Sequence, residues 1–164
     1  MEISYLVFMK SIDRSKAYLA GIQVRTINRN GQSMIDLGEL WKSFYEQQIQ
    51  QQVPQRLNDE IWVVYYDYAS NFQDHYTAFI GCPVGDFQGI PDGLHRLEVP
   101  EGRYLPRAVQ GHMPQALMAE WEVIWKDDQH LNRAYGHDVE IRTTVPAEDL
   151  ACWIYLSVHP ANSK

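Results

Sequence analysis

Leu117–Trp125 reads LMAEWEVIW, and Leu37–Tyr45 reads LGELWKSFY. In both, a Leu is followed four residues later by a Trp: Leu37 by Trp41, Leu117 by Trp121. Three residues on comes a large apolar side chain, Phe44 or Ile124, and then an aromatic one, Tyr45 or Trp125. That spacing puts each apolar set on one face of a helix. Self-similarity of this kind points to an internal duplication. Two copies are too few for a solenoid but suit a pseudo-twofold domain. The seam between two halves is a natural place for a cleft.

The flanking segments repeat in the same order. Ala17–Ile27 (AYLAGIQVRTI) alternates from Ile22 onward and reads as a strand. Ser33–Asp36 fits a capping box that opens the first helix. The Gln-rich run to Gln52 reads as the solvated end of that helix, stopping before Pro54. Glu60–Tyr68 (EIWVVYYDY) and Tyr76–Val84 (YTAFIGCPV) read as a hairpin, and Gly85–Gly93 (GDFQGIPDG) as the joint between halves. In the second half, Leu94–Val99 and Arg103–Gln110 are extended around a turn at Pro100–Gly102. A helix then starts near Pro114 and runs to about Asp128. Asp138–Val145 (DVEIRTTV) and Ala151–Val158 (ACWIYLSV) read as a second hairpin. Residues 5–9 (YLVFM) read as a short strand or an N-terminal extension. The expected fold is α+β. It has two strand-helix-strand-strand modules, about 5–84 and 94–158 with the joint at 85–93, in a single domain over 1–164. The modules share a curved antiparallel sheet with two main helices.

Composition narrows the function classes. The 164 residues suffice for one domain with a sizeable core. Apolar content of 45% and charged content of 21% are ordinary for a soluble globular protein. No apolar run is long enough to span a membrane. The N-terminus carries Glu2 and lacks the basic start of a signal peptide, so the cytoplasm is the expected location. A net charge of -7, with Lys and Arg scattered, argues against direct nucleic-acid binding. It tolerates cationic partners. Cys82 and Cys152 each sit in an apolar strand-like segment and are expected to be buried thiols. The histidines show no metal-ligand spacing. There is no Gly-rich phosphate loop and no nucleophile elbow. Neither a metal nor a cofactor is expected.

Aromatic residues make up 12% of the chain. Tyr65, Tyr66, Tyr76, Trp125, Trp153 and Tyr155 are candidate pocket walls. Trp41 and Trp121, on the main apolar helix faces, read as core. Glu140 stands between Val139 and Ile141 in a strand, so it points opposite to both. The paired strand is expected to bring Trp153 or Tyr155 beside it. A carboxylate among aromatics is costly unless compensated. A hydrophobic cation would compensate it and gain cation–π attraction from the rings. The plainer alternative is an exposed strand Glu paired with Arg142. Glu122 and Glu120, on the second helix, are further candidate acids, with Glu122 near the edge of the buried face.

The segments IWVVYYDYASNFQDHYTAFIGCPV (61–84), VPEGRYLPRAVQG (99–111), ALMAEWEVIW (116–125) and the closing hairpin occur in a telling order. It resembles that of the gyrase-inhibitor-like small-molecule-binding domains. These are related to the effector-binding domains of AraC-type and MerR-type multidrug transcription regulators. The resemblance covers about residues 8–158. It implies two strand-helix-strand-strand modules about a pseudo-twofold axis, and a groove near that axis for bulky hydrophobic, often cationic compounds. An acid in an aromatic-lined pocket commonly meets the cation, and Glu140 matches the family's Glu in the strand after the second helix. The local sequence DVEIR departs from the more usual aromatic-Glu-x-Tyr pattern. With no helix-turn-helix, the chain resembles stand-alone versions encoded on mobile gene (integron) cassettes. The expected function is therefore a binding or sequestering module rather than an enzyme, with a hydrophobic cation as ligand. A separate transcription regulator and a homodimeric partner are compatible with it. Two alternatives stand beside this reading. One is a hydrolase of reactive small molecules, with Glu140 as general base beside Tyr155 or Tyr104. The other is an adaptor that inhibits a larger protein through its acidic surface.

Overall fold

A computed structural model describes residues 10–147 and 150–160, so the strand expected over residues 5–9 lies outside the described residues. The elements are β1 (Ile12–Arg14), β2 (Ala17–Ile27), α1 (Gln32–Glu46), α2 (Ile49–Gln52), β3 (Ile61–Tyr66), β4 (His75–Val84), β5 (His95–Val99), β6 (Gly102–Val109), α3 (Gln115–Lys126), β7 (Asp138–Ala147) and β8 (Leu150–Ser157). The strands join one eight-stranded sheet in the order β1-β6-β8-β7-β3-β4-β2-β5, and every pairing is antiparallel. The fold is α+β. From the central β7·β3 pair, each flank runs through the hairpin partner (β8 or β4) and then the strand before the helix (β6 or β2). Each ends in a strand contributed by the other half (β1 or β5). A pseudo-twofold axis therefore passes between β3 and β7.

The outermost strands are exchanged, which local reading of the Pro100–Gly102 turn does not anticipate. β5 and β6 flank that turn but do not pair; β5 lies on β2, and β6 on β8 and β1. In a flat sheet β5 and β6 would stand about 29 Å apart. The two residues between them, Pro100 and Glu101, reach only ~11 Å. Ser15 and Lys16 make an equally short link from β1 to β2. The sheet must therefore curl until its ends approach. Arg14 gives the direction: its guanidinium lies 4.0 Å from the Tyr155 ring and 5.8 Å from the Trp62 ring. Both rings are on the face away from the helices. That inner face is filled by Leu19, Trp62, Val64, Phe79, Val139 and Ile141. Gly21 and Gly81 oppose one another across β2 and β4. A Cβ on Gly21 would stand 2.0 Å from the Ile80 carbonyl oxygen, so the backbones come this close only at glycine.

The two helices cover the outer face. Leu40 and Phe44 of α1 pack on Ala20, Val63, Ile80 and Cys82. Leu117, Trp121 and Ile124 of α3 pack on Val109, Cys152, Ile154 and Leu156. Phe44 and Ile124, equivalent in the repeat, are both essentially fully buried, contributing about 2–3 kcal/mol each. The two cores meet at Tyr65, which touches both. Burial pushes the Cys82 thiol up to about 11 and the Cys152 thiol up to about 12.

The start of α1 differs from the expected capping box. The helix begins after Gly31, which sits in the left-handed region (φ 74), and no side chain caps it. Asp36 accepts instead from the Thr26 hydroxyl (2.8 Å) and the Gln32 side-chain amide (2.9 Å). It therefore fastens the first turn to β2 rather than to the helix's own amides. The Gln-rich tail is not one continuous helix end. Gln48, at φ 52, breaks it, and α2 follows with Ile49 buried.

Candidate ligand site

Where the two helices approach over the β3·β7 seam, they leave a cavity of about 620 Å³. Leu37 and Trp41 of α1 face Leu117, Trp121 and Trp125 of α3 across it. These are the repeated Leu-xxx-Trp positions, so the duplication builds the two walls. Tyr65 from β3, Tyr76 from β4, and Tyr68 and Phe72 from the loop between them complete the lining. The rings form a chain. Tyr65 meets Trp121 edge-on at 5.5 Å and Tyr76 at 5.9 Å, and Tyr76 meets Tyr68 at 5.6 Å. Phe72 stacks on Trp125 at 5.6 Å. Met34 and Met118 line the cavity while remaining largely exposed, one on each helix, and so mark its mouth.

Glu140 lies on the wall with no exposed surface. Its Oε2 accepts hydrogen bonds from the Trp121 indole (2.7 Å) and the Tyr65 hydroxyl (2.8 Å). Its Oε1 has a single polar contact among the described residues, Arg142 Nη2 at 3.5 Å. The carboxylate is thus held in place by neutral donors, while one oxygen is barely served. Burial, and then the Glu140 charge, hold the Tyr65 phenol well above its ordinary pKa, so it stays a donor. Burial pushes the Tyr76 phenol up to about 12, and its hydroxyl donates to Asn28 at 2.6 Å. Among the described residues no group of three or more His, Cys, Asp or Glu is placed to hold a metal ion. No helix among them is long and apolar enough to cross a membrane.

Residues 13–158 match the model of the Cass2 family, described as integron-associated effector binding protein. The chain belongs to that family. Similar solved structures include the integron cassette protein VCH_CASS2 from the mobile metagenome of Vibrio cholerae, at 21% identity and TM-score 0.67, covering 92% of this chain and 95% of that one. SAV2435 bound to tetraphenylphosphonium superposes with TM-score 0.73 at 14% identity, over 92% of this chain and 93% of that one. The C-terminal domain of EcmrR has TM-score 0.57 at 10% identity, over 91% and 95%. At these identities the structures establish the shared fold. A search of curated proteins returns no match.

Against this effector-binding frame, the cavity gathers Glu140, Tyr65, Tyr76, Trp125 and Glu122 of the residues expected from sequence. It does not gather Trp153, Tyr155 or Tyr66. The β7·β8 register sets Glu140 opposite Ile154, and sets Val139 opposite Tyr155 and Ile141 opposite Trp153. Trp153 and Tyr155 therefore share the inner face with Val139 and Ile141. Tyr66 lies on that face too, its hydroxyl donating to Gln23 (2.7 Å) and its ring stacked on His137. The tyrosines named for a hydrolase are likewise away from Glu140: Tyr155 is across the sheet, and the Tyr104 hydroxyl donates to the Pro100 carbonyl. Glu120 instead pairs with Arg107 at 2.7 Å. Sequence reading assigned Trp41 and Trp121 to core alone, yet both line the cavity and Trp121 anchors the carboxylate. The indole N–H is invisible to a hydrophobic pattern; the usable signal was that a buried Trp needs an acceptor.

Proposed function

We propose that this effector-binding chain takes bulky hydrophobic cations into the cavity between α1 and α3, with Glu140 meeting the charge. One observation carries the reading. Glu140 is a fully buried carboxylate among aromatic rings, with an oxygen whose sole polar contact among the described residues is 3.5 Å long. A buried charge without a close counter-charge is costly. A ligand cation offsets that cost and gains attraction from the ring faces. The cavity volume falls within the range of drug-sized ligand sites. The thioethers of Met34 and Met118 at its mouth adapt to varied shapes. The structurally similar SAV2435 bound to tetraphenylphosphonium supports the same ligand class. Binding without turnover, read out through a separate transcription regulator, fits the family description and the structural likeness to EcmrR.

Tetraphenylphosphonium and the uncharged triphenylphosphine oxide separate charge from shape. Tryptophan quenching, checked by calorimetry, gives both affinities for the wild type and for Glu140→Gln. The variant keeps the acceptor for Tyr65 and Trp121 but loses the charge. Its affinity for the cation is expected to fall on the order of 10- to 100-fold, with the neutral ligand little changed. Equal loss for both ligands would mean that Glu140 shapes the pocket without reading charge.

A further inference from the structure

The cavity already holds a cation of its own. Arg142 follows Glu140 by two residues on β7, so both side chains leave the same face of the strand. The Arg142 guanidinium lies 4.5 Å from the Trp41 ring centre and contacts Glu140 Oε1 at 3.5 Å. An aromatic face and a carboxylate are the two elements a ligand cation would use. Arg142 uses both, and it lines the cavity. Its hold is incomplete. Its Nε is buried with no hydrogen-bond partner among the described residues, and the contact to Glu140 is long. Arg133, another cation on the wall, shares the buried Nε without a partner among the described residues, but its terminal nitrogens are closely paired with the carboxylates of Asp138 (2.7 Å) and Asp128 (3.2 Å).

We propose that Arg142 is a resident pseudo-ligand that a cationic effector must displace from Glu140 and Trp41, and that it thereby sets the affinity and charge selectivity of the site. The inference rests on the cation reading of Glu140 given above. Displacement is mechanically simple. The side chain is already 29% exposed, and swinging outward would return its unpartnered Nε to water. A neutral ligand gains nothing from expelling it. A weakly binding monovalent cation would be excluded, while one with large ring-matched surface would compete successfully. The selectivity of the site then includes a threshold, and not only an attraction.

The test compares tetraphenylphosphonium with triphenylphosphine oxide on wild type, Arg142→Gln, Glu140→Gln and the double variant, each first checked for a cooperative melt. Arg142→Gln is expected to bind the cation about tenfold more tightly than wild type, with the neutral ligand changed by less than about twofold. The gain should vanish in the Glu140→Gln background, because the competition is for that carboxylate. Arg142→Lys, which keeps the charge without the guanidinium over the Trp41 ring, should show a smaller gain and serves if the Gln variant does not fold. Unchanged or weaker cation binding in the Arg142 variants, with Glu140→Gln still losing the cation, overturns the pseudo-ligand alone. Wild-type cation affinity in Glu140→Gln overturns both readings together.

Discussion

Two carboxylates two residues apart on β7, Asp138 and Glu140, are both fully buried on the same face of the sheet. Asp138 is saturated. Its Oδ1 accepts from the Ser157 amide (2.9 Å) and hydroxyl (3.2 Å). Its Oδ2 accepts from the Tyr68 hydroxyl (2.6 Å) and from Arg133 (2.7 Å). Glu140 has two neutral donors on one oxygen and a distant guanidinium on the other. Burial is equal, so burial does not distinguish a structural carboxylate from the one proposed to meet a ligand. The state of compensation does. Asp138 is paired by a buried Arg and locks the 133–138 segment to β8. Glu140 is positioned but left short of charge, facing a space large enough for a ligand.

The largest expected effect tests the first half of that contrast. Arg133→Met leaves the Asp138 charge buried with only neutral donors. Breaking such a pair costs about 3–5 kcal/mol, read as a lower urea midpoint. Glu140→Gln removes a charge whose one ion-pair contact among the described residues, to Arg142, is long at 3.5 Å, and should change stability by less than ~1 kcal/mol while altering ligand selectivity. If Glu140→Gln destabilises the fold as much as Arg133→Met, the two sites do not differ as described.

Alkaline pH probes the donors on which both carboxylates rely. Burial, followed by the adjacent carboxylate charge, holds Tyr65 beside Glu140 and Tyr68 beside Asp138 well above the ordinary phenol range. Tyr76 between them is pushed up to about 12. The folded state therefore keeps phenolic protons that the unfolded chain releases near pH 10. The unfolded state binds fewer protons above that point, so stability falls with rising pH. The contribution is fully present below pH 10 and is lost as pH rises through 12. Tyr76 alone accounts for about 2–3 kcal/mol by pH 12. Melting temperatures taken from pH 8 to 12, with phenolate absorbance alongside, should fall together with the onset of ionisation. A flat melting profile would mean that these phenols reach water in the folded state.

The fold was largely legible because its signals are local and repeated. The paired Leu-xxx-Trp helices, the 60–84 hairpin and the DVEIR…ACWIYLSV hairpin each follow from periodicity and turn residues. The exchange of β1 and β5 is long-range, and nothing in the Pro100–Gly102 turn encodes it. At the site, alternation in Ala151–Ser157 separates Trp153 and Tyr155 from Ile154 and Leu156 but does not say which set meets the helices. That depends on the parity of the β7·β8 register, which pairs Glu140 with Ile154. Aromatic content pointed there to the face away from the cavity, because the inner face of the curled sheet is itself a second core. Arg142 was visible as a neighbour two positions from Glu140. Its stacking on Trp41 was not visible, because that contact joins β7 to the helix of the other half.

The smallest expected effect concerns the mouth of the cavity, away from both carboxylates. In the repeat, Gly38 of α1 occupies the position of Met118 on α3, and both line the cavity. A Cβ at Gly38 would meet nothing within 4 Å. Glycine in a helix interior is about 1 kcal/mol worse than alanine, so helix stability alone does not account for it. Open space in front of a destabilising residue fits a need for room. Gly38→Ala is therefore expected to raise stability by ~0.5–1 kcal/mol, a few degrees in melting temperature, with tetraphenylphosphonium binding nearly unchanged. Gly38→Met, which copies the opposite helix, should also melt higher than wild type. It should lose tetraphenylphosphonium about tenfold or more while sparing the small tetramethylammonium ion, because the new side chain closes the mouth from the second side. Stability and binding then move in opposite directions from one substitution. A Gly38→Met protein that binds the bulky cation as well as wild type would show that ligands enter elsewhere, and that the asymmetry between the two helices has no part in ligand size.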